Sequence, residues 1–349
     1  PLPYSANPTF CAEPGPFGAA VTPCNIGNPN LGPERGYETE LGFDAGFFHD
    51  RAGVEFTYYF GGTKDAILQE QVFPSSGYPN FKYVNAGALT KHGFEVALHG
   101  TPYQTKNTDW TLGLNLSTAD NKVTNLNGLD YIQASTNIRH VVGFPVGAWF
   151  GKKVTGSTLN GDGSVTDVTC SDGSGGTVDC GDAPVLYLGR TLPNFEGSAT
   201  STLRFFKNFQ LFVMVDSKRG YKKLDGNARV RCHIFDLCES DWYPSTEPNL
   251  ATLGAQTSSS YISDIVNDAS FVKLREVSLA YTLPESWAAT FRATGATISI
   301  AGRNLHTWSD YPGLDPEGSF QGGSRGFGQW EQDITPQLMQ FVTTVHLTF

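Results

Sequence analysis

The chain has 349 residues and a net charge of −10 at neutral pH, from 24 Lys and Arg against 34 Asp and Glu. This acidic balance excludes a nucleic-acid-binding protein, because phosphate backbones are bound by basic surfaces. No run of about 18 apolar residues is present, which excludes a transmembrane helix within the sequence, and the abundance of Gly (39), Phe (24) and Tyr (14) favours strands and turns.

Apolar and polar side chains alternate with period two in nine segments, and this alternation predicts nine β-strands. In chain order the predicted strands cover 37–48, 54–61, 87–101, 109–118, 195–205, 209–216, 270–283, 294–304 and 341–349. One face of each strand is apolar, as with Leu41 and Phe43, and the other is polar, as with Glu40 and Asp44. The segment 143–151 is a candidate for one further strand.

The links between these strands alternate in length. Short links are predicted at 49–53, 102–108, 207–208 and 284–293, and long links at 69–86, 122–193, 223–269 and 305–336. In an antiparallel sheet this alternation places all long links at one end, provided that 122–193 contains no spanning strand or an even number of them. The pattern is typical of outer-membrane β-barrels, which have short periplasmic turns and long extracellular loops.

The two termini add to this interpretation. The first residues, PLPYSANPTF, include neither an initiator Met nor a signal peptide, so we expect the chain to be part of a longer protein. The last residues, FVTTVHLTF, form a predicted strand that ends on Phe349. A soluble protein rarely leaves such an edge exposed, whereas a barrel pairs it with another strand. We therefore interpret Phe349 as a barrel-assembly signal.

The six cysteines form three close pairs along the chain. The pairs are Cys11 with Cys24, Cys170 with Cys180, and Cys232 with Cys238. None has the C-x-x-C spacing of zinc or redox sites. We expect three local disulfides, formed in an oxidising compartment, and unpaired buried thiols are the alternative.

Several phrases resemble the barrel of SusC/RagA-like TonB-dependent outer-membrane transporters. The phrases lie at 28–68, 84–98 (VNAGALTKHGFEVAL), 142–151 (VGFPVGAWFG), 160–163 (NGDG), 271–284 (FVKLREVSLAYTLP) and 298–317 (ISIAGRNLHTWSDYPGLDPE). The resemblance implies an all-β fold: residues 1–349 would be the C-terminal part of a barrel of roughly 22 strands, incomplete here. It also implies a plug domain and a TonB-contacting segment, both absent from this chain.

The same resemblance implies a function and its partners. We expect a protein of the bacterial outer membrane that imports a glycan or peptide-type nutrient together with a SusD-like surface lipoprotein and the TonB complex. One alternative is a TonB-dependent receptor for iron chelates or cobalamin. Another is a soluble secreted carbohydrate-binding or adhesive β-protein, since a soluble β-sandwich shows the same alternation.

Candidate chemical sites are few. In the NGDG phrase, Asn160 and Asp162 could occupy positions 3 and 5 of a calcium loop, but Thr158 and Thr169 would then be neutral end ligands. A Gly-rich turn is therefore favoured there. The acids of the predicted polar wall are spread over several strands, which favours a solvated surface facing a plug: Glu38, Glu40, Asp44, Glu55, Glu95 and Glu196. We predict no enzyme and no cofactor.

Aromatic residues of the long links are the candidates for substrate contact. They are Trp242, Tyr243, Trp308, Tyr311 and Trp330. Their rings could stack on sugars or on peptide side chains. The alternatives are packing within the loops or an aromatic belt at the membrane interface.

Overall fold

The computed structural model describes residues 9–15, 18–78, 81–135, 137–160, 165–235, 237–238, 262–319 and 330–349. In chain order the strands are β1 Thr9–Gly15, β2 Gly18–Asn25, β3 Arg35–Phe47, β4 Ala52–Gln71, β5 Phe81–Gln104, β6 Asp109–Thr118, β7 Asp120–Asn125, β8 Tyr131–Ser135, β9 Ile138–Val141, β10 Ala148–Gly151, β11 Val154–Leu159, β12 Val165–Ser171, β13 Thr177–Asp179, β14 Leu186–Arg190, β15 Phe195–Phe205, β16 Phe209–Arg219, β17 Lys222–Asp225, β18 Val266–Asp268, β19 Phe271–Thr282, β20 Gly295–Ser309, β21 Trp330–Glu331 and β22 Gln340–Thr348.

The helical segments are short turns. They span Pro74–Ser76, Gly226–Ala228, Arg229–Ile234, Glu285–Ala288 and Ala289–Phe291. No helix in the described ranges has the length and apolar character needed to cross a bilayer.

Nine strands form one antiparallel sheet in the order β22-β20-β19-β16-β15-β6-β5-β4-β3. The short strand β7 pairs with residues Ala88–His92 of β5. These nine are the strands predicted from the sequence, which confirms an antiparallel barrel wall. The links at one end are short, at 48–51, 105–108, 206–208 and 283–294. At the other end three of the four links are long, at 119–194, 220–270 and 310–339, and the fourth, 72–80, has only nine residues. Among the described residues β3 and β22 do not pair with each other, so the sheet stays open.

Two sequence predictions were wrong in detail. Half of the predicted link 69–86 is strand, because β4 and β5 run on for 20 and 24 residues and protrude at the long-link end. This extension has no regular apolar face, and its register shifts at Ala66, so period two was not visible in the sequence. The segment 143–151 adds no barrel strand, since β10 pairs with β9 and β14 in a separate sheet.

The strand register collects the apolar side chains on one face of the sheet, which we call the outer face. Phe43 lies opposite Phe56, Phe56 opposite Val96, and Val96 opposite Leu116. Apolar side chains of β22, at the other edge of the sheet, are also exposed on this face, and Phe341 is 71% exposed. No second sheet covers this face in the described residues, and an apolar band of this kind matches the hydrocarbon of a bilayer.

The opposite, inner face is polar. Asp44 lies opposite Glu55, Ser117 opposite Glu196, and Asp216 opposite Lys273. Most buried apolar residues lie instead at the long-link end, apart from a small cluster of Ala288, Ala293 and Ala296 at the short link 283–294. The largest cluster contains Ile138, Trp149, Leu224, Ile262, Ile265 and Val266. The loops therefore carry a protein core of their own, while the strands expose their apolar side chains.

The two faces predict opposite responses to the same substitution. We expect Leu114→Arg, on the outer face of β6, to destabilise the protein in a bilayer by about 2–4 kcal/mol, because the charge would enter hydrocarbon. Its neighbour Asn115 lies on the inner face, so Asn115→Arg should change stability by only about 0.5 kcal/mol. Urea unfolding of the reconstituted protein measures both values, and equal costs would contradict the assignment of faces.

Candidate functional site

The inner wall carries a polar depression at its centre. It has a volume of about 480 Å³ and is lined by side chains from five strands, among them Glu55, Glu95, Asn115, Glu196 and Asp216. Glu196 pairs with Lys218 at 3.3 Å between Oε2 and Nζ. The surface is rich in hydrogen-bonding groups and suits contact with a polar polypeptide or solute. The acids lie on different strands, as the sequence predicts.

Where the inner wall meets the long links, a buried network of charges begins. Lys273 is 3% exposed, and its Nζ donates to Asp315 Oδ1 and Glu317 Oε2, each at 3.0 Å. The Arg275 guanidinium binds Asp216 at 2.8 Å and Glu317 at 2.7 Å. Two cations of β19 thereby hold two acids of the link 310–339 against the barrel.

Lys223 extends the network into the loops. Its side chain is fully buried, and Nζ donates to the carbonyl oxygens of Asp315, at 2.8 Å, and of Gly318. Its Nζ lies 3.9 Å from the Glu331 carboxylate, which accepts the N–H of Leu314 at 2.8 Å. The segment 311–318 is thus fixed on several sides, and we call it the latch segment.

Electrostatics within the network favour the charged acids. Burial acts to raise the pKa of Asp315, but the N–H of Glu317 and the Lys273 ammonium outweigh it, so this pKa is lowered. The pKa of Glu317 is lowered against burial by Arg275 and Lys273. Burial lowers the pKa of Lys223 to about 8, although Glu331 and Asp315 oppose the shift. The latch segment is therefore held by ionised groups at neutral pH.

The sheet β8–β9–β10–β14 contains a buried histidine. His140 is 6% exposed, and its Nδ1 accepts the N–H of Gly147 at 3.1 Å. Burial lowers the pKa of His140 to about 4. The neutral ring is therefore the form that this sheet contains.

The described aromatic candidates lie in three different environments. Trp308 is 53% exposed and lies opposite Val272 on the outer face, with its ring centroid 4.5 Å from that of His306. Tyr311 is buried in the latch segment against Tyr221, where burial and the nearby Glu331 carboxylate raise its pKa. Trp330 packs on the largest loop cluster. The structure does not bring these three rings together.

Trp242 and Tyr243 lie outside the described residues. Substrate contact by any of the five aromatic residues stays a prediction.

The remaining candidates are the cysteine pairs, the NGDG phrase and Phe349. All three predicted disulfides are confirmed: Cys11–Cys24, Cys170–Cys180 and Cys232–Cys238. The Asn160 amide donates to Thr166 Oγ1 at 3.2 Å, and Asp162 lies outside the described residues. Among the described residues no group of three or more His, Cys, Asp or Glu is placed to hold a metal ion. Phe349 follows β22 and is 79% exposed, and its role in assembly stays a prediction.

Sequence reasoning missed the charge network. A signal was present, because Lys273 and Arg275 are two residues apart and therefore share one face of a predicted membrane strand. Asp315 and Glu317 have the same spacing in the following link. Matching cation and acid pairs of this kind indicate a contact, although the sequence does not show that it is buried.

The sequence model of the family described as TonB-dependent receptor-like β-barrel matches residues 4–188. The chain belongs to this family. TonB-dependent receptor P26 of Formosa agariphila is 30% identical over 338 residues, which cover 87% of this chain and 33% of that protein. TonB-dependent receptor P3 of the same organism is 25% identical over 85% of this chain and 32% of its own length. The chain thus spans about a third of these relatives.

Solved structures share this fold. The RagAB peptide transporter superposes with a TM-score of 0.78 at 20% identity, over 99% of this chain and 38% of that chain. The RagAB peptide importer in its open-open state gives 0.76 at 20% identity, over 100% of this chain and 38% of that chain. The predicted resemblance to SusC/RagA-like receptors is confirmed. This TonB-dependent receptor barrel is an outer-membrane protein, which excludes the soluble secreted alternative.

Removal of a network cation should loosen the latch segment. We expect Lys273→Ala to cost about 3–5 kcal/mol, because it leaves two acids buried without their shared partner. Lys218→Ala removes a half-exposed partner of Glu196 and should cost about 0–1 kcal/mol. Thermal unfolding measures the stability difference, and hydrogen exchange of 311–318 shows whether the latch segment opens. Equal protection in both variants would contradict the network's role.

Acid should weaken the sheet that contains His140. The pKa of His140 is 6.5 when the sheet is opened and about 4 when it is folded. The stability of the sheet is therefore highest above pH 6.5 and decreases as the pH falls from 6.5 to 4. The expected slope is at most about 1.4 kcal/mol per pH unit. Hydrogen exchange of residues 139–150 at several pH values measures it. His140→Gln should abolish the slope, and an unchanged slope in that variant would refute the assignment.

Proposed function

We propose that this receptor imports a glycan or peptide-type nutrient across the outer membrane in a TonB-dependent manner, together with a SusD-like surface lipoprotein. The observation that carries the proposal is the pairing of an apolar outer face with a polar inner wall beneath a folded layer of loops. Such a wall can surround a polar path through hydrocarbon. The mechanism consists of binding and gated passage, without covalent chemistry.

The known relatives support this proposal at different levels. Curated relatives are TonB-dependent receptors, and the fold is shared with RagAB, whose structures are described as a peptide importer in closed-closed and open-open states. The lipoprotein partner follows from the resemblance to SusC/RagA-like receptors. The same resemblance favours a glycan or peptide-type nutrient over iron chelates and cobalamin.

We further propose that residues 1–349 contribute part of a larger barrel. The outer edges of β3 and β22 have free backbone groups among the described residues, and a membrane barrel must pair such edges. Additional strands of the same polypeptide would pair with them. We expect a plug domain that faces the acidic inner wall, and a TonB-contacting segment, in the rest of that polypeptide.

Uptake measurements test this function. The gene is deleted in its host, and cells are offered labelled oligosaccharides, a peptide digest, a ferric chelate and cobalamin. We expect loss of oligosaccharide or peptide uptake, an equal loss when TonB is deleted, and recovery with the full-length gene. Unchanged uptake of all four would contradict the proposal. A loss limited to the ferric chelate or cobalamin would establish the alternative receptor class.

A further inference from the structure

Arg139 lies on the loop sheet β8–β9–β10–β14 and has no acidic partner among the described residues. Its Nε is buried and makes no hydrogen bond, and none of the ion pairs in the described part of the chain includes it. The guanidinium lies over the ring of Tyr131, 4.2 Å from its centroid. One flat side of the cation is therefore covered by an aromatic ring, while N–H donors remain unused.

Acidic residues are abundant in this protein. Acids exceed bases by ten residues, and three other arginines pair with acids: Arg190 with Asp120, Arg275 with Asp216 and Arg303 with Glu276. A half-buried donor without an acceptor is unfavourable for folding. The position of Arg139 is thus explained better by a bound group than by stability.

The register places a second cation on the same face. Gln133 lies opposite Arg139, Arg139 opposite Ala148, and Ala148 opposite Arg190. Two strand spacings separate the two arginines, which is about 10 Å. Ala148, which lies between them, is fully buried. Arg190 is already paired with Asp120 and its side chain is only 14% exposed, so Arg139 is the unpaired guanidinium of this row.

Aromatic rings flank this row. Tyr131 is 46% exposed, and Tyr187, whose ring packs 5.8 Å from that of Phe150, is 39% exposed. The other face of the sheet is anchored, because Trp149 and Ile138 belong to the largest buried cluster. The sheet thus holds the Arg139 guanidinium and the Tyr131 ring in a fixed arrangement, which lowers the entropic cost of binding.

We propose that this face is a recognition subsite for carboxylate-bearing nutrients, and this rests on the import function proposed above. A guanidinium fork matches a carboxylate with two parallel hydrogen bonds. Arg139 binds the carboxylate, and Tyr131 stacks on the adjoining sugar ring or side chain. The carboxylate belongs either to a uronic acid of a glycan or to an acidic peptide.

Calorimetry on the full-length receptor in detergent tests the subsite. The probes are hexagalacturonate with its methyl ester, and a hexaglutamate peptide with its glutamine counterpart. We expect one acidic probe to bind, its neutral counterpart to bind at least tenfold more weakly, and Arg139→Ala to weaken the acidic probe by about the same factor. Arg139→Lys keeps the positive charge but loses the two parallel donors, so its affinity for the acidic probe should lie between those of the wild type and Arg139→Ala.

Arg292→Ala is the matched control, since Arg292 is an exposed arginine of a short link at the other end of the barrel. It should bind as the wild type does. Heat-modified migration on gels establishes that each variant is folded. Equal binding by wild type and Arg139→Ala, or no binding of either acidic probe by the wild type, overturns the subsite. TonB-dependent uptake that persists in that case leaves the proposed function intact.

Discussion

The backbone hydrogen bonds of nine adjacent strands are the constraint on which the rest of the structure depends. Once the strands are paired, the pleat sends successive side chains to opposite faces, so the register alone decides what each face contains. Here it gathers Phe43, Phe56 and Leu116 on one side and carboxylates on the other. A wall with these two faces is stable only between hydrocarbon and a polar interior.

This constraint moves the protein core away from the strands. Lipid replaces a packed interior at the outer face, so most buried apolar clusters, such as those around Trp149 and Leu126, form at the long-link end. The same end contains the charge network of Lys273, Arg275 and the latch segment. Buried ion pairs add little net stability, but removal of one partner is costly. The network therefore fixes one arrangement of the last link against the barrel.

The sequence predicts the wall well because period two is a local signal. All nine strands, the alternation of links and the three disulfides were visible in it. The extension of β4 and β5 was not, since strands beyond the membrane need no apolar face. The apolar side chains of VGFPVGAWFG suggested a further barrel strand. Trp149 is instead buried in a protein core formed by the loops and does not face lipid. The burial of Tyr311 and the partners of Lys223 depend on contacts about 90 residues away along the chain, which spacing does not show.

The most direct test of the two-faced wall is a spin-label scan along β6 in the reconstituted full-length receptor. A nitroxide is placed in turn at each position from 109 to 118, and its collisions with oxygen and with a water-soluble nickel complex are measured. We predict alternation along the strand, with oxygen contact highest at Leu112, Leu114 and Leu116. Low oxygen contact at outer-face and inner-face positions alike would show that a protein layer covers the outer face, and would contradict the two-faced wall.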